Sequence, residues 1–210
     1  MSEDLPSAVL ATARAMNASG INRGSAGNVS ARDGDGFWIT PTGMAYDVCE
    51  AADMVFVALD GETRGKRQPS SEWRFHRDIY AARPEAGAII HTHSPFATSL
   101  ACQGLEIPPF HYMIARFGGD TVRCASYATF GTQELSDSVV SALLERCACL
   151  MTHHGMVVFG ENLQKALGLA EELEMLCEQY WRVLHLGVPK LLPAEEMARV
   201  LGKFKGYGRQ

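Results

Sequence analysis

The spacing of apolar residues along the chain predicts a succession of helices and strands. Apolar residues that recur every three or four positions indicate an amphipathic helix, whereas alternation every second position indicates a strand with one buried face. The helical pattern covers residues 5–18, 73–82, 95–103, 132–146, 162–186 and 193–204. Gly20 follows the first of these segments and Pro84 the second, as expected for helix ends.

Strand-like segments fall between these helices. They cover residues 29–32, 37–40, 54–59, 88–92, 122–127, 148–153 and 156–159. The first two flank residues 33–36, where Asp and Gly alternate as in a tight hairpin. Because several neighbouring strands are joined by tight turns, we expect an α/β protein with a mixed, mostly antiparallel central sheet and helices on both faces. Residues 1–210 are expected to form a single domain with a mobile C-terminal tail at residues 205–210.

Composition limits the kinds of partner that the protein can have. The chain has 210 residues, of which 47% are hydrophobic and 20% charged, as in an ordinary globular domain. Its formal net charge of −5 and pI near 5.8 argue against a nucleic-acid partner. No apolar run approaches the ~20 residues that cross a membrane. Six cysteines, with neither a C-x-x-C pair nor a secretory signal, indicate reduced thiols and a cytoplasmic protein.

Two histidine clusters are the strongest sign of chemistry. His91 and His93 lie two residues apart in a predicted strand, so both imidazoles can point to one face. His153 and His154 would face opposite sides of a second strand, so at most one of them can join the first pair. Three imidazoles bind Zn²⁺ and leave a fourth position open, which is the arrangement of a catalytic zinc site.

Three polar turns predict a phosphate site. Residues 24–30 form a small-residue turn in which Asn28 adds a side-chain donor to exposed backbone N–H groups. Residues 40–43 end a strand with a hydroxyl group and a glycine, and Ser70 and Ser71 open a helix at its positively charged end. Glu72 follows these serines. Near a zinc ion it is a candidate general base, and the alternative is a surface acid that complements the helix dipole.

Five segments together resemble the zinc-dependent class II aldolase/adducin family. They are residues 26–30, 39–43, 69–76, 91–93 and 153–155, with the sequences AGNVS, ITPTG, PSSEWRFH, HTH and HHG. The resemblance is closest to the L-fuculose-1-phosphate aldolase branch, through residues 111–114 (HYMI), 127–132 (YATFGT) and 204–208 (FKGYG). It covers nearly the whole chain in one register.

The resemblance implies a metal centre and two catalytic groups. Zn²⁺ would be bound by His91, His93 and His154, with His154 preferred over His153 because the ligand directly precedes the glycine. Mn²⁺ and Co²⁺ are alternative metals. Glu72 would be the acid/base, and Tyr112 would protonate the aldehyde-derived oxygen.

The resemblance also implies where the substrate binds. Its phosphate would be held by Asn28, Thr42, Gly43, Ser70 and Ser71. The aldehyde side would be lined by Phe130 and Tyr207. The family further implies a cyclic homotetramer with active sites at the subunit interfaces.

The implied activity is the reversible aldol cleavage of a ketose 1-phosphate, such as L-fuculose 1-phosphate, to dihydroxyacetone phosphate and a small aldehyde such as lactaldehyde. An aldolase for 5-deoxyribulose 1-phosphate or 5-methylthioribulose 1-phosphate is the first alternative, because these enzymes resemble the fuculose enzyme almost residue for residue. A phosphopentose 4-epimerase is disfavoured by Glu72, because that branch carries Asp there, and a dehydratase is disfavoured by the Ser70-Ser71 pair and Trp73.

Two alternatives come from other functional classes. An adducin-like binding module lacks the zinc histidines, so their presence argues against it. A zinc hydrolase with three histidines would activate water with the same metal and carboxylate. A hydrolase of neutral substrates, however, has no use for three anion-binding turns.

Overall fold

One sheet of eight strands runs through the molecule in the computed structural model, which describes residues 4–206. The strands are β1 Asn28–Asp33, β2 Gly36–Ile39, β3 Val55–Ala58, β4 Thr63–Arg64, β5 Ala88–Thr92, β6 Cys124–Ala125, β7 Ala148–Met151 and β8 Gly155–Gly160. Their order across the sheet is β4-β3-β2-β1-β5-β8-β7-β6. Neighbouring strands are antiparallel, except that β6 and β7 are parallel. The predicted mixed, mostly antiparallel sheet is therefore confirmed.

Helices cover both faces of this sheet, as predicted. They are α1 Leu5–Ala18, α2 Trp73–Ala82, α3 Pro95–Ala101, α4 Gln133–Ala142, α5 Leu163–Leu186 and α6 Ala194–Phe204, with short 3-10 helices at Ala51–Asp53 and Tyr112–Phe117. α1, α3 and α5 pack over the larger hydrophobic core on one face, and α2 and α4 pack over a second core on the other. Within residues 4–206, no helix is long and apolar enough to span a membrane.

Several boundaries differ from the sequence-based prediction. The strand predicted over residues 122–127 contains only β6, and the strand predicted over residues 148–153 ends at Met151, because the chain turns at residues 152–154. The helix predicted over residues 132–146 ends at Ala142. The apolar pattern does not predict β4, whose two residues are both exposed and therefore show no alternation.

The central strand β5 directs side chains to opposite faces of the sheet. Ile90 packs in the core under α1, α3 and α5, whereas Ile89 packs in the core under α2 and α4. His91 therefore lies on the same face as Ile89. There the ring of Phe75 from α2 packs against its imidazole, with 5.6 Å between ring centroids. The alternation in β5 thus turns His91 toward the start of α2, where Glu72 lies.

Candidate active site

Four polar side chains converge at the end of β5, the start of α2 and the turn before β8: Glu72, His91, His93 and His154. One ligand atom from each lies within 4.8 Å of the others. Nε2 of His91 is 3.0 Å from Nε2 of His93 and 3.1 Å from Oε2 of Glu72. Nε2 of His154 is 2.9 Å from Oε1 of Glu72. Because the four residues come from three separate segments, it is the tertiary fold that assembles the cluster.

The backbone of β8 orients the imidazole of His91. Nδ1 of this ring lies 2.8 Å from the carbonyl oxygen of Met156, to which it donates a hydrogen bond. In the neutral ring, Nε2 then carries the free lone pair and faces the other three side chains. A hydrogen bond of this kind from the distal ring nitrogen is the usual arrangement behind a metal-binding histidine.

Two glycines let the surrounding backbones approach one another. A Cβ on Gly27, which has a φ of 71°, would lie 2.5 Å from the carbonyl oxygen of His91. A Cβ on Gly155 would lie 2.3 Å from the carbonyl oxygen of Thr92 and 3.1 Å from Cδ2 of His93. Any larger residue would push the starts of β1 and β8 away from β5. Both glycines are therefore needed to close the site.

His153 and His154 lie in the turn between β7 and β8, so the expectation that they face opposite sides of a strand is wrong. His153 has a φ of 56°, and the N–H of His154 donates to the carbonyl oxygen of Met151 over 3.0 Å. The turn brings both histidines to one cavity. Within the described residues, the four-residue cluster includes His154 but not His153, whose ring packs edge-on against Tyr127 with 5.9 Å between centroids.

The electrostatics of the cluster favour a positive charge at its centre. Burial opposes ionisation of Glu72, but the positive charge of His91 and the contacts with both imidazoles outweigh it and hold the pKa of Glu72 well below its usual range. Burial and the neighbouring His91 and His154 lower the pKa of His93 to about 4, so its ring is neutral at pH 7. Burial also disfavours charge on His91, yet the Glu72 carboxylate outweighs it and raises the pKa of His91.

The geometry of the cluster fits a divalent metal ion. A tetrahedral zinc with bonds of about 2.0–2.1 Å separates its ligand atoms by roughly 3.4 Å. Three separations between nitrogen and oxygen atoms of the cluster are 2.9, 3.0 and 3.1 Å, and all four ligand atoms lie within 4.8 Å of one another. Among the described residues, Oε1 of Glu72 is a buried oxygen that accepts no hydrogen bond, although Nε2 of His154 is near it. A buried oxygen of this kind is costly unless a donor or a cation reaches it, and the cluster can therefore hold a metal.

The cluster opens into a cavity of about 350 Å³. All five residues predicted to hold the phosphate line this cavity: Asn28, Thr42, Gly43, Ser70 and Ser71. Phe130, predicted for the aldehyde side, lines it as well, together with Tyr127 and Ala128 from the same segment. The three polar turns and the histidine cluster, which are far apart in sequence, thus share one space.

Spacing along the chain does not reveal two contacts that shape this cavity. Nδ2 of Asn28 donates to Oγ of Ser70 over 3.0 Å and to Oε2 of Glu72 over 2.9 Å. Arg74 donates to the carbonyl oxygen of Gly131 over 2.9 Å and so ties the segment after β6 to α2. Asn28 lies in the motif at residues 26–30 and Arg74 in the motif at residues 69–76. The motifs therefore point to these two residues, but they do not predict which groups the two side chains contact.

Tyr112 does not line this cavity within its own chain. Tyr112, which is 50% exposed, lines a separate cavity of about 1150 Å³ near α6. Tyr207 lies outside the described residues. Within one chain, the described part of the cavity at the histidine cluster therefore contains no contribution from Tyr112.

The fold and the site together define an α/β protein in which a cluster of possible metal ligands lies beside a cavity lined by polar turns. The sequence profile described as Class II Aldolase and Adducin N-terminal domain matches residues 7–181. The chain is 54% identical over 196 residues to the 5-methylthioribulose-1-phosphate/5-deoxyribulose-1-phosphate aldolase of Rhodospirillum rubrum. The matched region covers 93% of this chain and 89% of that protein. It is 45% identical over 201 residues to the L-fuculose phosphate aldolase of Escherichia coli, over 95% of this chain and 94% of that protein.

A solved structure has the same fold. An L-fuculose 1-phosphate aldolase superposes with a TM-score of 0.93 at 36% identity, over 98% of both chains. The chain belongs to the class II aldolase and adducin family. The predicted family and enzyme class, a class II aldolase, are therefore confirmed. Its relatives carry names for two different groups of sugar phosphate.

Proposed function

We propose that the protein reversibly cleaves the C3–C4 bond of a ketose 1-phosphate to give dihydroxyacetone phosphate and a small aldehyde. The observation that carries this proposal is the position of the carboxylate–histidine cluster in the same cavity as the hydroxyl-bearing turns. A phosphate at the turns would leave the first carbons of the sugar beside Glu72. The names of the relatives support the same reaction class.

The phosphate end of the substrate would be bound by groups that the fold holds in place. Ser70 and Ser71 immediately precede Glu72, the N-cap residue of α2, and so lie near the positive end of the helix dipole. Thr42 and Gly43 line the same cavity, on a segment that is hydrogen-bonded to the residues around Ser70. Exposed hydroxyl and backbone N–H donors at a helix start favour a dianionic phosphate over a neutral group.

Glu72 would carry the proton at C3. In the cleavage direction the C4 hydroxyl loses its proton, the C3–C4 bond breaks, the aldehyde leaves, and the electron pair remains on C3. C3 then takes up a proton from the carboxyl group of Glu72, and in the reverse direction Glu72 removes it. A divalent metal, for which we propose Zn²⁺ at His91, His93 and His154, supplies the Lewis acid that stabilises the negative charge on the substrate oxygens.

Tyr112 would transfer the proton at the C4 oxygen. Because Tyr112 lines a different cavity of its own chain, this role requires the site to receive Tyr112 from a neighbouring subunit. We therefore include in the proposal a homotetramer with active sites at subunit interfaces. The six free thiols fit the reducing cytoplasm that we propose as its location.

The aldehyde product distinguishes the candidate substrates. L-fuculose 1-phosphate yields lactaldehyde, 5-deoxyribulose 1-phosphate yields acetaldehyde, and 5-methylthioribulose 1-phosphate yields a methylthio-substituted acetaldehyde. All three aldehydes end in a methyl group, which suits the aromatic lining by Tyr127 and Phe130. The 54% identity to the Rhodospirillum rubrum enzyme favours the two ribulose phosphates as the second candidate function.

A substrate panel tests this proposal. The purified, zinc-loaded protein is incubated with the three ketose 1-phosphates, and release of dihydroxyacetone phosphate is followed by a coupled reduction. We expect cleavage of at least one substrate, with kcat/KM ranking the three, and none with the unphosphorylated ketoses. No cleavage of any of the three, or equal cleavage of phosphorylated and unphosphorylated sugars, would reject the proposal.

A further inference from the structure

A chain of buried hydrogen bonds leads away from the cluster, from Glu72 through Asn28, His76 and Ser30 to Tyr80. Nδ2 of Asn28 is 2.9 Å from Oε2 of Glu72, and Oδ1 of Asn28 is 2.5 Å from Nε2 of His76. Nδ1 of His76 is 2.7 Å from Oγ of Ser30, which in turn is 2.8 Å from the hydroxyl of Tyr80. None of these five side chains is exposed, and His76 has no accessible surface.

The amide of Asn28 has one favourable orientation. Its two N–H groups point at Oγ of Ser70 and at the ionised carboxylate of Glu72. If the amide were flipped, its oxygen would face the carboxylate oxygen, and two acceptors would meet at hydrogen-bond distance. Oδ1 of Asn28 must therefore face His76, and Nε2 of His76 must carry the proton that it donates.

The remaining links follow from the same donor and acceptor count. A neutral imidazole with a proton on Nε2 has only an acceptor at Nδ1, so Ser30 donates its single hydroxyl hydrogen there. Ser30 then has only lone pairs left for Tyr80, and Tyr80 is the donor in that bond. All hydrogen bonds in the chain thus run in one direction, from Tyr80 toward Glu72.

Packing supports a neutral and immobile imidazole at position 76. The ring of His76 stacks on Phe75 at 4.8 Å between centroids and on Phe37 at 6.3 Å, with interplanar angles of 22° and 18°. Burial, aided by the nearby positive charge of His91, lowers the pKa of His76 to about 3. The ring is therefore neutral at pH 7, and its tautomer is decided by its two hydrogen-bond partners.

We propose that His76 is a positioning residue, which donates from Nε2 to fix the Asn28 amide in the orientation that holds Glu72. With the other tautomer, Nε2 of His76 would become an acceptor and would draw the amide N–H away from the carboxylate. The Glu72 carboxylate excludes that tautomer, because it requires the Asn28 amide to turn its oxygen toward Nε2 of His76, and Ser30 and Tyr80 complete the resulting chain of hydrogen bonds. The catalytic consequence rests on the proposed role of Glu72 as the base, whereas the direction of the hydrogen bonds does not.

The direction of the hydrogen bonds is tested without any assay of activity. In protein labelled with ¹⁵N-histidine, NMR spectra report which ring nitrogen of His76 carries the proton, and His76→Gln identifies its resonances. We expect the proton on Nε2 of His76 across pH 6–9. The ¹⁵N resonances of this ring should show the same protonated nitrogen in the metal-loaded and the metal-free protein. A proton on Nδ1, or exchange between both tautomers, would overturn the inference.

The consequence for catalysis is tested with three variants. His76→Phe keeps the ring shape but removes the donor to Asn28, whereas His76→Gln can place an amide N–H near the position of Nε2. Tyr80→Phe is the matched control, because it removes a buried hydrogen bond at the far end of the chain but leaves the His76 donor in place. The measured rate is solvent exchange of the C3 proton of dihydroxyacetone phosphate.

We expect His76→Phe to slow this exchange by about 10- to 100-fold, the usual effect of losing a residue that orients a group at a metal site. His76→Gln should recover most of the rate, and Tyr80→Phe should lose less than His76→Phe at a comparable loss of thermal stability. Equal losses in His76→Phe and Tyr80→Phe, or no recovery in His76→Gln, would show that His76 is only structural. If the wild-type protein shows no exchange at all, the proposed function fails, while the NMR result still decides the direction of the chain.

Discussion

His153 and His154 are adjacent in the chain, yet they face different partners. His154 places Nε2 2.9 Å from Oε1 of Glu72, whereas the ring of His153 packs against Tyr127. The left-handed backbone at His153, with a φ of 56°, separates the two side chains. The same turn ends at Gly155, whose missing side chain allows the contact with β5.

This relationship predicts which histidine controls metal content. His154→Ala should lower the affinity for Zn²⁺ by at least about tenfold, because one of three imidazole ligands is lost. His153→Ala should bind Zn²⁺ as the wild type does. Metal content after dialysis, measured by plasma mass spectrometry, checks both variants. The opposite pattern would show that the ligand is His153.

Glu72 is expected to act on the proton at C3. Glu72→Gln keeps the shape of the side chain and leaves all three imidazoles, so we expect it to retain the fold and the metal. Exchange of the C3 proton of dihydroxyacetone phosphate should slow by a factor on the order of 10² or more. Deuterium incorporation from D₂O, followed by proton NMR, isolates this step. Exchange at the wild-type rate would exclude Glu72 as the base.

Ser71 offers the cleanest test of the phosphate site. Asn28, which lines the same cavity, also donates to Glu72, so Asn28→Ala would disturb the base as well as the phosphate. Ser71→Ala should raise KM for a phosphorylated substrate by about tenfold, as expected when a hydrogen bond to a charged group is lost. Ser99→Ala, which removes an exposed hydroxyl on α3, is the control. An unchanged KM in Ser71→Ala would argue against phosphate at this turn.

Tyr112 is expected to act on the aldehyde-derived oxygen from a neighbouring chain. Tyr112→Phe should slow carbon–carbon cleavage but spare proton exchange, because exchange never forms the alkoxide at C4. Mixed assemblies of Tyr112→Phe and Glu72→Gln chains should regain part of the cleavage activity, since some cavities then combine an intact Glu72 with an intact Tyr112. If mixing restores nothing, or Tyr112→Phe abolishes exchange as well, this role is wrong.

Asp78 joins α2 to α4, and we expect its contribution to stability to depend on pH. Its carboxylate accepts hydrogen bonds of 2.6 Å from both Gln133 and Ser136. Burial opposes ionisation of Asp78, but bonds from Arg77, Ser136 and Gln133 outweigh it and lower its pKa in the folded protein. A lowered folded-state pKa stabilises the fold above the unfolded pKa, and that stabilisation is lost as pH falls through the folded value.

The variant Asp78→Asn makes this dependence measurable. We expect the free energy of unfolding to fall by about 1–2 kcal/mol at pH 7, since the amide replaces a charged acceptor in a partly buried site. The difference from wild type should shrink as the pH falls below about 4, the ordinary pKa of Asp in an unfolded chain, and should continue to shrink through the lower pKa of the folded protein. Urea unfolding at several pH values measures both the loss of unfolding free energy at pH 7 and its change with pH. A difference that stays constant with pH would contradict the assignment.

Alternation and motif spacing predict some parts of the site well. Successive residues of β5 face opposite sides of the sheet, so the two-residue spacing predicts that His91 and His93 share a side, and their Nε2 atoms lie 3.0 Å apart. The turn at residues 152–154 could not be predicted from the sequence pattern. Its conformation depends on a positive φ at His153, and such a turn has no regular spacing of apolar residues. The sequence pattern therefore extended β7 by two residues beyond Met151.

Contacts between distant motifs could be predicted least. Asn28 and Glu72 lie 44 positions apart, and they meet only because β1 pairs with β5 and α2 crosses the same face. His76 belongs to the same motif as Glu72, yet its place beneath Asn28 depends on that packing. Such contacts depend on strand register and helix placement. The order of motifs along the sequence does not determine either of them.

The two ends of the cavity are built from different kinds of structure. The histidines and phosphate turns lie at strand ends, in the turn before β8 and at a helix start, with Gly27 and Gly155 behind them. Tyr127 and Phe130 lie on the segment between β6 and α4, with 63% and 65% of their surface exposed. If the proposed function holds, we expect substrate scope and bond breaking to be separable by mutation. We then expect laboratory evolution of residues 127–130 to change the accepted aldehyde without loss of the metal. Substitutions behind the histidines should instead lower activity toward every aldehyde.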